Sequence, residues 1–385
     1  MTTLLKPFQR LFTRKHAIPA GIYHYQAPPD DPRNYRLHLR LEEDGGGVLI
    51  VNAATILHLN QTAAEYAYFL VQNADADHVA SQMAARYRVD REQARQDYLD
   101  LAGRIQTLIE TPDLDPVTFL DFERQKPFSG HIMAPYRLDC ALTYRLGEQA
   151  PVDSAPIERV SRELTTEEWN RILDKAWQAG IPHVVFTGGE PTLRDDLPDL
   201  IAHAEANGQV SGLISDGLRI ADDPYRAVLL QTGLDHLMIV MRPENETSWE
   251  AVEECMEDDL FLAVHLTITP ENRAQIPGWL ERLASLGIHE ISLSQSDPSL
   301  ANELQSARDR IATLGLDLVW NLPVPYSDLH PVALETAITD TPEGAGRAWL
   351  YVEPDGDVRP TQGAEPILGN LLNDPWEKIW KTKEA

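Results

Sequence analysis

The fold of this chain is decided by the stretch HVVFTGGEP, residues 183–191. Its β-branched and aromatic run at 184–186 is typical of a buried parallel strand. The two glycines that follow carry no Cβ, so we expect backbone to approach a ligand there and leave peptide groups free for it. Glu190 stands at the carboxyl end of the predicted strand, where α/β sheets bind ligands. The stretch predicts a ligand-binding turn, although an ordinary β–α turn fits it too.

Strand and helix patterns alternate on both sides of this stretch, from residue 133 to residue 325. Strands are predicted near 136–144, 183–187, 210–215, 235–241, 260–269, 289–294 and 315–321. Helices are predicted near 165–179, 196–207, 223–232, 247–257, 274–286 and 300–313. Such strand–helix repeats with a closing strand predict parallel β-structure covered by helices. The pattern alone does not distinguish an open barrel from a doubly wound sheet.

Charge and composition narrow the classes of partner. The 385 residues include 60 Asp and Glu against 33 Lys and Arg, a formal net charge of −27. Such a surface repels phosphate backbones, so we expect no nucleic acid partner and favour basic peptides. No apolar run approaches the roughly 20 residues of a membrane span, and no signal peptide is visible. Because Cys140 and Cys255 are the only cysteines, we expect no disulfide framework and a cytoplasmic protein.

A small module is predicted at residues 34–110, between a basic N-terminal arm at 1–33 and a linker at 111–132. Its short strands near 35–41, 48–51 and 56–59 precede three helices, the order of a winged-helix-like domain. The run ILHLNQTAAEYAYFL, which starts at residue 56, resembles PqqD-like domains. This resemblance implies that the module recognises the leader of a ribosomally made precursor peptide by adding it to a sheet edge as a strand. The strand at 35–41 or its neighbour is the expected edge.

The GGEP turn, in its strand–helix setting, resembles the second strand of radical S-adenosylmethionine (SAM) enzymes. The run HLTITPEN at 265–272 resembles their fifth strand and turn. The resemblance implies an α/β fold in which residues 133–325 form a partial (β/α)6 barrel. It also implies a vestigial SAM site, made of Gly188, Gly189, Glu190, Pro191, Ser215 and Asp216.

Plainer interpretations of these polar residues stay open. Glu190 also fits a residue that caps a helix N-terminus, and Asp216 fits an ordinary turn residue. Arg242, after the fourth barrel strand, is expected either to pair with Glu190 across the pocket or to face solvent.

The segment 326–385 has a different character. AWLYVEPDGDVRP at 348–360 contains an Asp-Gly hairpin signal and precedes ILGNLLNDPWEKIW at 367–380. This resembles the short SPASM or twitch tail that carries an auxiliary cluster in peptide-modifying radical SAM enzymes. Glu343 and Thr361 stand where that tail carries cysteines, so we interpret it as degenerate.

The cysteines of the main cluster are also missing. The family binds a [4Fe–4S] cluster through three cysteines in the loop after the first strand. The expected cluster positions here are Leu146, Ala150 and Asp153, and Cys140 lies inside the predicted strand. We therefore expect no cofactor: no metal site or iron–sulfur cluster, and SAM binding that is weak at most. We also expect the loop to fold inward, so that Leu146 and Val152 fill the empty pocket.

These observations favour a degenerate radical SAM-like protein that is not itself an enzyme. It would bind a precursor peptide or partner an active radical SAM maturase as a pseudoenzyme. The alternative is an enzyme whose retained pocket at the GGEP turn binds SAM or another small ligand for non-radical chemistry. Radical chemistry through a cluster that a partner protein holds is a third hypothesis.

Overall fold

The structure is a computed structural model that describes residues 18–28, 30–111, 114, 119, 132–147, 151, 153–258, 260–337 and 342–381. The chain divides into two compact units, Met1–Lys126 and Pro127–Ala385. Residues 1–17 of the expected arm and most of the expected linker lie outside the described residues. Among the described helices, none combines the length and the apolar character that crossing a bilayer requires.

The first unit is an antiparallel sheet followed by three helices. Its strands lie side by side in chain order: β1 (Gly21–Gln26), β2 (Arg36–Leu41), β3 (Gly47–Val51) and β4 (Thr55–Leu59). The helices are α1 (Gln61–Val71), α2 (Ala76–Arg86) and α3 (Arg91–Glu110). Each begins after a side chain that accepts a hydrogen bond from a first-turn N–H group, which stabilises the helix end: Asn60, Asp75 and Asp90.

Two expectations for this unit need correction. The described sheet has four strands rather than three, because β1, which we assigned to the N-terminal arm, pairs with the whole of β2. β2, our first candidate for the edge strand, is bonded to β1 on one side and to β3 on the other, so the edges of the described sheet are its neighbour β1 and β4. We did not predict this strand because the sequence GIYHYQ has only a weak alternation of apolar and polar residues, which matches its mostly half-buried side chains.

The second unit is built on a mixed sheet whose larger part is parallel. Seven parallel strands in its described residues neighbour one another in chain order, and six helices connect them. In order these elements are β5 (Arg137–Thr143), α4 (Thr166–Ala179), β6 (His183–Gly188), α5 (Leu197–Asn207), β7 (Val210–Ser215), α6 (Asp223–Gln231), β8 (His236–Val240), α7 (Glu246–Cys255), β9 (Phe261–Ile268), α8 (Ile276–Leu286), β10 (Glu290–Gln295), α9 (Ala301–Leu314) and β11 (Asp317–Leu318). The predicted α/β architecture is confirmed, and this topology is consistent with a partial (β/α)6 barrel.

Alternate side chains of the parallel strands enter two different cores. Along β9, Leu262, Val264 and Leu266 belong to the large core that also contains the buried helix residues. Ala263, between them, packs instead with inner residues such as Met238 of β8. The period of two and the complete burial of both faces are those of a parallel sheet between layers.

The tail extends this sheet beyond β5. Its strands are β12 (Trp349–Val352), β13 (Asp357–Arg359) and β14 (Gly369–Asn370), and α10 (Trp376–Ile379) follows. β12 pairs parallel with β5, and the hairpin predicted at 355–356 joins β12 to the antiparallel β13. The likeness of this tail to a SPASM or twitch domain stays a prediction.

Candidate functional site

The GGEP turn is held by the loop that follows β5. The N–H of Gly189 donates to the Thr143 carbonyl oxygen at 2.8 Å, and the N–H of Glu190 donates to that of Arg145 at 2.9 Å. A Cβ on Gly188 would lie 2.3 Å from the Thr143 oxygen, and one on Gly189 would lie 2.3 Å from the Arg145 oxygen. The glycines therefore admit the protein's own backbone. Our expectation that these peptide groups are free for a ligand is wrong for both N–H groups, because the β5 loop continues the pairing past the strand end.

The Glu190 carboxylate is buried among four donors. Its Oε1 accepts from the Thr192 N–H at 2.9 Å, the Thr192 hydroxyl at 2.6 Å and the Ser215 hydroxyl at 2.9 Å. Its Oε2 accepts from the Asp216 N–H at 2.8 Å. Glu190 also caps the short 3-10 turn that starts at Pro191, so the capping interpretation is correct locally. The structure thus brings together the residues predicted after β6 and at the end of β7; their role in cofactor binding stays a prediction.

Glu190 and Asp216 form a pair of neighbouring acidic groups. Burial, and then the charge of Asp216, raises the pKa of Glu190 to about 8. Burial also raises the pKa of Asp216, whose Oδ1 accepts from the Leu218 N–H at 3.0 Å. Perturbed acidic groups in a cleft are typical of functional sites.

The raised pKa of Glu190 predicts that the stability of the fold decreases as the pH rises. The folded-state pKa of about 8 exceeds the ordinary 4.5. The contribution of protonated Glu190 to the free energy of unfolding is therefore fully present below pH 4.5 and is lost as the pH rises towards 8. Glutamine cannot ionise. The unfolding free energy of Glu190→Gln, minus that of the wild type, should therefore rise by about 2–4 kcal/mol between about pH 5 and about pH 8.

Urea denaturation across that pH range measures this difference. Asp195→Asn is the matched control, because it removes a carboxylate whose side chain is 94% exposed. A difference between Glu190→Gln and wild type that stays flat with pH would contradict the shift.

A cavity of about 430 Å³ opens beside the acidic pair, at the carboxyl ends of the strands. Its volume falls within the roughly 300–1,000 Å³ of small-molecule sites. Its lining combines acidic, basic and apolar side chains, among them Leu146, Glu190, Asp216, Met241, Arg242 and Tyr326. Gly188, Pro191 and Ser215 do not line it and lie behind it as support.

Leu146, one of the two residues of the expected inward plug, does not fill this cavity. Leu146 lies over the GGEP turn, with its Cδ2 3.0 Å from the Cβ position of Gly189, but it forms part of a wall. Asp153 is exposed, and Ala150 and Val152 lie outside the described residues. The Leu146 side chain leaves the space beside Glu190 open, and the part of the prediction that concerns Val152 stays a prediction.

Arg242 does not pair with Glu190, and its half-exposed side chain faces Asp328 instead. Its guanidinium donates to both carboxylate oxygens of Asp328, with Nη1 3.0 Å from Oδ2. This ion pair links the end of β8 to the segment 325–329, which lines the cavity. The Tyr326 N–H of the same segment donates to the Gly188 carbonyl oxygen at 2.9 Å. No sequence pattern indicated this wall, since residues 325–329 have no regular periodicity.

An ion network that the sequence did not reveal lies behind Tyr326. Arg159, in the loop between β5 and α4, donates to Glu335 at 2.5 Å and to Glu353 of the tail at 3.2 Å. The Tyr326 hydroxyl donates to Glu335 and lies 3.4 Å from the Arg159 guanidinium. Arg359 approaches the other oxygen of Glu353 at 2.9 Å. This network joins the loop, the cavity wall and the tail.

One group of acidic oxygens in the described residues has the spacing of a metal site: Glu353, Asp355 and Asp357. Glu353 already faces Arg159 and Arg359, so its charge is compensated by the protein itself. Glu353 therefore belongs to the ion network.

Comparison with known proteins gives a consistent picture. Residues 140–257 match the family described as the Radical SAM superfamily. A PqqA peptide cyclase of Granulibacter bethesdensis is 31% identical over 284 residues, which are 65% of this chain and 73% of that protein. A PqqA peptide cyclase of Streptomyces rochei is 26% identical, over 64% of this chain and 76% of that protein.

Solved structures with a similar fold include Streptococcus suis SuiB bound to the precursor peptide SuiA. That comparison has a TM-score of 0.57 and 13% identity, and covers 93% of this chain and 88% of SuiB. SuiB bound to S-adenosylmethionine gives a TM-score of 0.56 and 14% identity with the same coverage. At this identity the likeness concerns the fold alone.

These findings overturn our expectation of no cofactor. The matched superfamily uses SAM with an iron–sulfur cluster, and a structural neighbour binds SAM, so the absence of any cofactor is no longer expected. We had inferred the loss of the ligand from the loss of the thiolates alone, whereas the cavity and its carboxylates are present.

The two cofactor components fit the residues differently. Cys140 and Cys255 are both buried in the large core, so the residues at the mouth do not fit a cluster held by three thiolates of this chain. The donor set does fit SAM, because carboxylates suit an ammonium and ribose hydroxyls, and apolar side chains suit an adenine.

Proposed function

This chain belongs to the radical SAM superfamily, and the relatives named above are peptide-modifying members of it. We therefore propose that it acts in the modification of a ribosomally made precursor peptide. The barrel unit holds SAM at its mouth, and the first unit captures the leader of the peptide. The 31% identity to a PqqA peptide cyclase over 73% of that protein supports the peptide as substrate. The formed cavity beside Glu190 is the observation that carries the SAM site.

Filling this cavity should abolish SAM binding. Leu218 lines the cavity and is 38% exposed, so Leu218→Trp places a large ring at the entrance without disturbing the core. We expect wild-type protein to bind SAM in titration calorimetry and the variant to bind it at least tenfold more weakly. Val228→Trp is the matched control, because Val228 is 45% exposed on α6 and does not line the cavity.

Two results of this titration would contradict the assignment. Equal SAM affinity in wild type and Leu218→Trp would move the site away from the cavity. No binding to the wild-type protein at millimolar SAM would remove SAM from the proposed function.

Two edge strands of the first unit support capture of the leader by strand addition. β1 and β4 are the edges of the described sheet, whereas β2 and β3 each lie between two neighbouring strands. An edge strand can accept an extended peptide as a further strand. The chain's net charge of −27 favours a peptide with basic residues.

Hydrogen exchange tests this capture. On adding a precursor peptide encoded beside the gene, amide exchange should slow along β1 or along β4, while β2 and β3 serve as internal controls. Protection of neither edge, or equal protection of all strands, would contradict strand addition.

A second function, that of a pseudoenzyme partner, is favoured by the loop after β5. Leu146 occupies the first expected cluster position and lines the cavity, and the Arg159 network fastens this loop. The chain would then present the peptide to an active maturase. Mass spectrometry of the peptide separates the two functions: the partner role requires modification only when an intact maturase is added, and modification by this chain alone excludes it.

A further inference from the structure

The last pair of parallel strands in the second unit is incomplete. β10 runs from Glu290 to Gln295, but β11 pairs with only its first two residues. The pairing on this side ends where the Val319 N–H donates to the Ile291 carbonyl oxygen at 2.9 Å. Within the described residues, no strand lies beside Leu293 and Gln295 on the side away from β9. Residues 293–295 therefore form an open edge of the parallel sheet.

The backbone groups of the open edge point away from β9. Alternate residues of a strand direct their N–H and C=O groups to opposite sides. The Ser296 N–H donates to the Ile268 carbonyl oxygen of β9, whereas the carbonyl oxygen of Ile291 accepts on the β11 side. Leu293 and Gln295 alternate in step with Ile291, so their peptide groups face the side on which β11 stops. A further strand can bind there without breaking a bond of the sheet.

The chain turns away from the open edge directly after β11. At Asn321 the backbone has a φ of +63°, and the Asn321 carbonyl oxygen accepts from the Arg137 guanidinium at 2.5 Å. Arg137 belongs to β5, which four other strands separate from β10. Pro323 and Pro325 follow, and neither has an N–H group to donate to a neighbouring strand. This path across the barrel carries the chain away from the open edge.

The two faces beside the open edge differ in polarity. On the barrel side, the Ser294 hydroxyl lies 3.0 Å from Nε2 of the buried His265. On the helix side, Leu293 packs against the large core, and the Trp320 ring is 55% exposed with the Arg308 guanidinium 4.9 Å from its centre. Alternate side chains of an added strand point to opposite faces. Such a strand would place one side chain beside Ser294 inside the barrel and the next on the helix side.

The size and charge of the open edge favour a short peptide as its occupant. Three residues of strand span only about 10 Å, too little for the roughly 800 Å² per partner of a stable protein interface. A second copy of this chain would also bring a net charge of −27 against an equal charge. Asp297, two residues past the edge, is exposed, and hydrogen bonds from Ser299 lower its pKa. The carboxylate therefore favours a basic residue at that end of the peptide.

We propose that the open edge of β10 binds the part of the precursor peptide that is to be modified, as an added strand. This rests on the proposed function, in which the first unit captures the leader of the same peptide. It adds a second docking surface, which directs one peptide side chain into the barrel. The bound segment alternates polar residues, which face Ser294, with apolar residues, which face the Trp320 side.

Hydrogen exchange measured residue by residue tests this docking. With the full precursor peptide encoded beside the gene, the amides of Leu293 and Gln295 should exchange about tenfold or more slowly than in the free protein. The leader half of the peptide alone should leave both amides unchanged. The amides of Ser292 and Ser294 are the internal controls, because they face β9 and the sheet protects them in both states.

Proline at the end of the open edge isolates the backbone contribution. Gln295→Pro removes an N–H group that points away from β9, so the sheet loses no bond, and proline is tolerated at such positions. Gln295→Ala removes the same side chain but keeps the N–H group. In calorimetry, wild type should bind the full precursor about tenfold or more tightly than the leader half. This gain should fall below about threefold in Gln295→Pro and stay in Gln295→Ala.

Trp320→Ala should also reduce this gain, because it removes the exposed apolar ring on the helix side of the edge. Phe261→Ala is the matched control, since Phe261 is equally exposed at 55% but is the first residue of β9, at the opposite end of the strands. We expect the gain to be unchanged in this variant.

Three results would contradict the proposal. An unchanged gain in Gln295→Pro, or equal losses in the proline and alanine variants, would overturn strand addition. A leader half that binds wild type as tightly as the full precursor would overturn the second docking surface while leaving leader capture intact. Failure of the full precursor to bind at all would instead refute the proposed function, and the docking surface with it.

Discussion

Gly188→Ala is expected to abolish ligand binding at the barrel mouth and to lower the free energy of unfolding by about 3 kcal/mol or more. Gly188 has a φ of +125°, which side chains rarely adopt. The new Cβ would also lie 2.3 Å from the Thr143 oxygen and 3.3 Å from the backbone of Ala141. These neighbours are backbone atoms of β5 and its loop, which cannot rotate away, so the turn itself must move.

Movement of this turn would disturb the cavity on two sides. The Gly188 carbonyl oxygen accepts from the Tyr326 N–H, and the next residue donates to the Thr143 oxygen. Displacement breaks both bonds and releases the wall at 325–329 together with the β5 loop. Urea denaturation measures the stability, and SAM calorimetry measures the site.

Gly278→Ala is the matched control for this substitution. Gly278 lies on α8, its added Cβ would meet no atom within 4 Å, and alanine favours helix. We expect unchanged or slightly higher stability and unchanged SAM affinity. If Gly188→Ala unfolded at the same urea concentration as Gly278→Ala, the close approach of the β5 loop to the turn would be refuted.

Arg159→Ala should cost about 3 kcal/mol of unfolding free energy, because it removes the guanidinium between two poorly exposed carboxylates. The side chain of Glu353 is 2% exposed and that of Glu335 is 17% exposed. Arg162→Ala, in the same loop, is the control: Arg162 binds Glu168 with two contacts of 2.7 Å, but its side chain is 54% exposed. Exposed pairs contribute about 0–1 kcal/mol, so the two arginines should differ clearly in chemical denaturation.

The same substitution should also weaken SAM binding, since Arg159 and Glu335 hold the hydroxyl of Tyr326, a residue of the cavity wall. The double variant Arg159→Met with Glu335→Gln separates this effect from global unfolding. It removes the unpaired charge, so stability should partly return while SAM affinity stays low. Equal costs for Arg159→Ala and Arg162→Ala, or a full return of affinity in the double variant, would contradict a positioning role for the network.

The elements of the barrel unit could be predicted from the sequence alone. Its seven parallel strands and six helices lie within a few residues of the predicted positions. These elements follow from apolar periodicity and local propensity, which act over fewer than about 20 residues. The strand–turn unit at HVVFTGGEP was predicted for the same reason.

Only the tertiary structure decided which polar residues meet. Arg159 bonds to Glu353, 194 positions away, and Arg242 bonds to Asp328, 86 positions away. Sequence patterns do not predict such pairs, because the local sequence around an arginine does not indicate whether its side chain becomes buried or which distant residue it contacts. Arg159 and Arg162 are three residues apart in one loop, yet one joins the buried network and the other a surface pair. The tertiary fold decides that difference, because it determines which distant segments lie next to each arginine. It also places the wall at 325–329 beside Glu190 and Asp216, which the sequence had already indicated.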